Sequence, residues 1–191
     1  SSDNNNTGHI RSGWVKYGVG AFVDSIEVRQ FDYDKDIAGK YTMTYDDDMG
    51  NSVSTTATFG YNNEGHTAIT LDELGIAIPM TVAPNGIMTI NGAEYSGIYH
   101  EPTSKTDYYT FSTFLTDGTG IVTSADLNVE TPFLYREGYG TYTDIQPTIN
   151  WSAVGATYSG WTITLCKNKS LDYGSYIGSI LTFYNPLFVK K

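Results

Sequence analysis

A chain of 191 residues is long enough to bury a sizeable core as one domain. Its 21 Asp and Glu against 11 Lys and Arg give a formal net charge of −10. That excludes nucleic acid and anionic membrane surfaces as expected partners, since both need clustered cations. Threonine (25), glycine (20) and tyrosine (16) outnumber leucine (9) and alanine (10), a balance that favours strands over helices.

In chain order, Ser1-Ser2-Asp3-Asn4-Asn5-Asn6-Thr7-Gly8 has nothing to bury, so residues 1–9 are expected to be a flexible tether and 10–191 a single β domain. Trp14–Val19 and Ala21–Phe31 read as extended runs, and Phe22, Ser25 and Glu27 break strict alternation in the second. After the acidic stretch Asp32–Asp36, Lys40–Tyr45 and Val53–Tyr61 flank Asp46–Asn51 as a hairpin with a long loop. His66–Leu71 reads as a strand, and Asp72-Glu73-Leu74 as room for one helical turn.

Ile76–Met80 is strand-like, but Pro79 cannot donate to a ladder, which places it on an edge or at a bulge. Ala83-Pro84-Asn85-Gly86 is a turn, and Asn91-Gly92 is the strongest tight-hairpin signal of the chain. Tyr108–Thr116 and Ile121–Val129 flank Asp117–Gly120 as a further hairpin. Residues 124–137 carry a weak helical signal, and 130–140 are the least regular. Tyr142–Trp151 is interrupted by Pro147, and Tyr176–Val189 has Pro186 near its end. Trp161-Thr162-Ile163-Thr164-Leu165 alternates strictly, as a half-buried strand does. Ten or more strands, with turns about every 8–12 residues, predict an all-β domain. It is mostly antiparallel, either a calycin-like barrel or a two-sheet β-sandwich.

Chemistry is harder to find. Asp32, Asp34 and Asp36 alternate like calcium ligands, but the EF-hand positions that want Gly and Glu hold Ile37 and Met43. A solvated loop is the simpler expectation, with calcium as the alternative. His9, His66 and His100 share no metal-binding spacing, and no cofactor is expected. A single cysteine allows no internal disulfide, and Cys166 is expected to be a buried or half-buried side chain rather than a nucleophile. Glu94, Glu130, Glu137 and Asp144 could supply a carboxylate pair, yet nothing selects one, and neither a G-x-S-x-G elbow nor a P-loop occurs. The sequons at Asn5, Asn150 and Asn168 matter only if the source glycosylates.

The absence of any catalytic motif points to a binding or structural role. Trp161 shares a face with Ile163 and Leu165 and is expected in the core. Tyr139, Tyr142 and Trp151, near glycines that permit close approach, are the candidate ligand-binding residues.

The leader, Ile37-Ala38-Gly39-Lys40-Tyr41-Thr42 and the segment Ile87–Gly97 resemble secreted lipoproteins of gut Bacteroidetes, in particular their lipocalin-like (calycin-like) surface proteins. The resemblance spans residues 36–166. It implies a meandering antiparallel barrel, an N-terminal lipid anchor and a bacterial cell-surface or periplasmic location. The lipocalin G-x-W hallmark is missing, since Gly13-Trp14 and Gly160-Trp161 have no intervening residue, and no ligand residue carries over. The expected function is that of a non-enzymatic extracytoplasmic surface or binding protein for a small apolar molecule or glycan. The alternatives are a component of a surface fibre or particle, and a carbohydrate-binding or glycoside-acting module. Composition leaves the oligomeric state open.

Overall fold

The computed structural model describes residues 11–30, 32–82, 88–116, 122–123, 127–130, 148–149, 152–153 and 156–191. The chain is all-β, and every strand pair among the described residues is antiparallel. It opens with β1 (Arg11–Val19) and β2 (Phe22–Gln30), then one π-helical turn over Tyr33–Ile37. A meander follows: β3 (Gly39–Asp46), β4 (Ser52–Tyr61), β5 (Thr67–Leu71), β6 (Ile76–Val82) and β7 (Met88–Ile90). Beyond it lie β8 (Tyr95–His100), β9 (Asp107–Thr116) and the short strands β10 (Val122–Thr123), β11 (Leu127–Glu130), β12 (Thr148–Ile149) and β13 (Ser152–Ala153). The last two are long, β14 (Ala156–Cys166) and β15 (Tyr176–Lys190).

Alternation builds the meander. In β3, Tyr41, Met43 and Tyr45 point inward and are buried, while Thr42 and Thr44 between them are half-buried. The β3–β4 loop forms around Asp47, whose Oδ1 accepts the backbone N–H groups of Met49 (2.9 Å) and Asn51 (2.8 Å). Consecutive strands pair from β3 to β7, and β11 and β12 carry the sheet on to β15. Because β15 also pairs with β3, the path of paired strands returns on itself through eight strands, a barrel-like curl. Thr148 opposite Leu187 joins β12 to β15. From the first half of β15, the strands β14, β9 and β8 extend as a second sheet.

One core lies between these surfaces. Phe59 packs edge-on against Phe188 (5.3 Å between ring centres), Tyr45 edge-on against Phe183 (4.7 Å), and Trp161 tilted against Phe183 (5.2 Å). The buried Tyr41 hydroxyl donates to the Ile37 carbonyl at 2.6 Å, which ties the π turn to the barrel floor. Gly160 sits where a Cβ would come within 3.0 Å of the Tyr184 ring, so only glycine fits without displacing it.

Four expectations need correction. The alternation at Trp161–Leu165 predicts a half-buried strand, yet β14 is buried on both faces: Trp161 and Ile163 on one, Thr162, Thr164 and Cys166 on the other. The threonines tolerate burial because they bond one another. Thr113 and Thr164 hydroxyls lie 2.7 Å apart, and Thr162 donates to Thr182 at 3.3 Å.

Asn91-Gly92 does not close a hairpin, because β7 pairs with β6 and β11 whereas β8 pairs with β9. The next residue, Ala93 (φ 61°), donates instead to Ser112 at 2.7 Å, so the turn carries the chain from one sheet to the other. Pro79 lies in an interior strand, between β5 and β7. It is tolerated because the ladder to β7 begins at Met80, and its carbonyl still accepts from Asn91 at 3.3 Å. Finally, Leu127–Glu130 is a strand within the segment with helical signal. The expected room for one turn after β5 is used, since the Leu74 and Gly75 backbone N–H groups both donate to the Leu71 carbonyl where the chain turns into β6.

Ala83–Gly86 and Asp117–Gly120 lie outside the described residues, as do residues 1–10 and 131–147. Pro186 sits at a register break in β15, between Tyr184 and Leu187. No helix among the described residues is long and apolar enough to cross a membrane.

Two predictions follow from this packing. Trp161 is fully buried, and its indole N–H donates to the Ser112 hydroxyl at 2.8 Å. Trp161→Ala is expected to lower unfolding free energy by about 3–5 kcal/mol, read from urea denaturation. In the β8–β9 turn, the Ser104 side chain and then the backbone N–H groups of Ser104 and Thr103 hydrogen-bond to the Glu101 carboxylate and hold it down at about 2. These bonds support the turn above the ordinary glutamate range and are lost as pH falls towards about 2. Carboxyl NMR titration should find Glu101 among the most acidic groups.

Candidate functional site

The ligand-binding candidates Tyr139, Tyr142 and Trp151 lie outside the described residues, as do Glu137, Asp144 and His9. Of the calcium candidates, Asp32 acts as the N-cap of the π turn. Its Oδ1 accepts from the backbone N–H of Asp34 (3.1 Å) and Lys35 (3.3 Å), and its Oδ2 meets the Lys35 ammonium at 3.0 Å. The Lys35 contact leads in holding the Asp32 carboxyl below its ordinary range. Asp34 accepts the Tyr61 hydroxyl at 2.6 Å, and the Asp36 side chain is outside the described residues. The loop's visible carboxylates thus serve the chain itself.

Cys166 is buried, and burial pushes its thiol up, away from the thiolate a nucleophile needs. His66 stands 3.7 Å from Glu64 and His100 2.6 Å from Asp107, two separate exposed pairs. No three His, Cys, Asp or Glu side chains among the described residues gather as metal ligands.

The barrel interior is occupied by its own side chains, with Tyr41, Met43, Phe59, Ile78, Met88 and Phe188 fully buried. A cleft beside Tyr45, Leu71, Leu74 and Phe183 has a cavity volume of about 10 Å³, room for a single water. That cleft has no space for a small apolar molecule of ligand size.

What stands out lies at the surface. β1 and β2 pair only with each other among the described residues, in one unbroken register from Arg11↔Gln30 to Val19↔Phe22. The turn between them has Gly20 at φ 65°, a value that tight two-residue hairpins demand and that glycine supplies without strain. Cross-strand partners share a face, so the register sorts the ribbon into two sides. One side carries Val15, Tyr17, Val19, Phe22, Ile26 and Val28, with Gly13 and Asp24 and, at its open end, the Arg11 and Gln30 positions. The other mixes Lys16, Ser25, Gly18 and Val23 with Trp14.

All six large residues of the apolar side are exposed, from 50% at Val28 to 86% at Phe22 and 87% at Val19. Sequence reading marked both runs as strands but missed this face. The available signal was Val15-x-Tyr17-x-Val19 followed by Gly20. Asp24 is the one acid on this face; its Oδ2 accepts the Tyr17 hydroxyl at 3.0 Å. A contiguous apolar face of this size, left uncovered, marks an interaction surface.

Comparison adds no relative from which to transfer a role: no protein-family model, no curated protein and no solved structure matches the chain.

The hairpin face makes a prediction of its own. In protein dilute enough to leave the face uncovered, the double variant Val15→Ser/Ile26→Ser should bind the apolar dye ANS several-fold less than the parent. At the same dilution its urea unfolding should stay within about 0.5 kcal/mol, because both residues are about half exposed and lie outside the described core.

Proposed function

We propose that this protein is a non-enzymatic, extracytoplasmic surface protein that acts by binding, and that the apolar side of the β1–β2 ribbon is the surface it binds with. The observation that carries this reading is the row of six exposed apolar side chains on one face of a ribbon whose strands, among the described residues, pair only with each other. A two-stranded ribbon is marginal in water without something packed on it, so such a face is expected to be covered in use. The cleft beside Tyr45 and Phe183, with room for a single water, offers no enclosed ligand site to compete with it. The lipid-anchored cell-surface location follows from the resemblance of the leader and the barrel opening to Bacteroidetes lipoproteins, and belongs to this proposal.

A role as a component of a surface fibre or particle uses the same face and is the nearest alternative. The observation favouring it is that, among the described residues, the outer edges of β1 and β2 pair with no further strand, which leaves them placed for strand addition.

The reading is tested by presenting labelled protein to three probes: the immobilised chain itself, phosphatidylcholine vesicles and a glycan array. Binding to the chain or the vesicles is expected, and Val15→Ser/Ile26→Ser should weaken it at least tenfold. Binding to none of the three, or binding that survives the double substitution, overturns the reading.

A further inference from the structure

Building on that reading, we propose that the occupant of the hairpin face is a second copy of this chain. Two β1–β2 ribbons stack apolar side on apolar side about a two-fold axis that crosses both at the Val15–Ile26 level, with the ribbons pointing in opposite directions. A two-fold contact must be made by one patch meeting itself, and a face of valine, isoleucine, tyrosine and phenylalanine does so without opposing like charges at its centre.

The register then decides what meets what. Around the axis, Val15 lies over Val15 and Ile26 over Ile26. One step out along β1, Tyr17 lies over Gly13 of the other copy. Gly13 is the gap in the apolar row: a Cβ built there meets nothing within 4 Å, so the position offers an open notch where the tyrosine ring needs room. Along β2, Asp24 stands over Val28 with its carboxylate still accepting the Tyr17 hydroxyl at 3.0 Å, and Phe22 stands over the Gln30 position at the rim of the contact. The face is notched at Gly13 and raised at Tyr17, and the antiparallel stack fits the two together.

Area and charge agree with this arrangement. The six exposed residues present on the order of 700 Å² per copy for side chains of this size. Two such faces remove on the order of 1,000–1,200 Å² from water, the low end for a specific association. Within residues 11–30, Arg11, Lys16 and Arg29 stand against Asp24 and Glu27, a net charge of +1 that leaves −11 on the rest of the chain. Two bodies of that charge repel, so a contact through the projecting ribbon suits them better than one between the barrels. Opposed ribbons also keep the bodies at far ends of a stack roughly 30 Å long, beyond the ~10 Å reach of charge at moderate salt. Ribbons stacked in parallel would bring both acidic bodies to one end. Asp24, on the apolar side next to the tip, makes a lipid bilayer the poorer occupant, because a carboxylate there would have to enter hydrocarbon.

Sedimentation equilibrium on the full chain tests the proposal. The expected species has twice the 21.0 kDa chain mass. Val15→Ser/Ile26→Ser and, separately, Gly13→Leu should each raise the dissociation constant at least tenfold. A short bis-maleimide should cross-link the dimer of the Val15→Cys variant but not that of Val19→Cys, whose sulfurs would lie roughly 25 Å apart across the stack. A wild-type monomer at every concentration overturns the proposal, as does a dimer indifferent to both substitutions. Cross-linking through position 19 overturns the antiparallel arrangement. A monomer that binds phosphatidylcholine vesicles through the same face overturns the second-copy assignment while leaving the hairpin as the binding surface.

Discussion

The fold depends on a change of partners within one strand. Up to Phe183, β15 pairs with β14; from Tyr184 onward it pairs with β3. The break falls at Asn185-Pro186, where Asn185 takes φ 49° and the register shifts. Each residue suits the job. Asparagine tolerates the left-handed region, and proline has no N–H to leave unbonded. The Asn185 amide also donates to Asp46 at 3.1 Å, pinning the break to the end of β3. Phe183, the last residue before it, touches both Tyr45 of β3 and Trp161 of β14. One aromatic side chain therefore joins the meander and the second sheet into a single core. Without this exchange β3 would be a free edge and β14 would belong to a separate sheet.

Burial on both sides of β14 follows from the same geometry. A strand in the middle of β9–β14–β15 has no edge, and its threonine face must satisfy its hydroxyls without water. The threonine pairs do so by bonding to each other and to the Thr162 carbonyl. Threonine in alternation is thus compatible with two different environments, a solvated face and a dry one with matched hydroxyls. The sequence pattern alone does not separate them.

That ambiguity sets how much of the molecule is legible before folding. Strand existence was readable for β3, β4, β5, β14 and β15, because alternation and the Asp46–Asn51 loop are local signals. The core place of Trp161 was readable from its face-sharing with Ile163. Adjacency was not. Asn91-Gly92 has the chemistry of a tight hairpin, yet Ala93 and Glu94 find Ser112 as their hydrogen-bond partner, a residue about twenty positions away. Pro79 obeys the rule that proline avoids a ladder, but the ladder it avoids ends one residue away instead of at the sheet's edge. The exposed hairpin was hidden for the same reason. Val15-x-Tyr17-x-Val19 looks like any strand lying on a core, and only its exposure shows that the described core does not cover it.

The ribbon and the body obey different rules of stability as a result. The body is held by fully buried aromatic rings such as Tyr41, Phe59, Trp161, Phe183 and Phe188. The ribbon has backbone pairing, a Tyr17–Asp24 hydrogen bond and, among the described residues, apolar side chains that are at most half-buried to offset the entropy of ordering it. Register is the property that such a segment must protect. A one-residue slip would move the apolar side chains of one strand to the opposite face and divide the surface. Tyr17–Asp24 opposes that slip, because the two side chains meet only when they share a face. It also explains why a carboxylate is retained among valines and isoleucines. The group that looks least suited to an apolar surface is the one that keeps the two strands of that surface aligned.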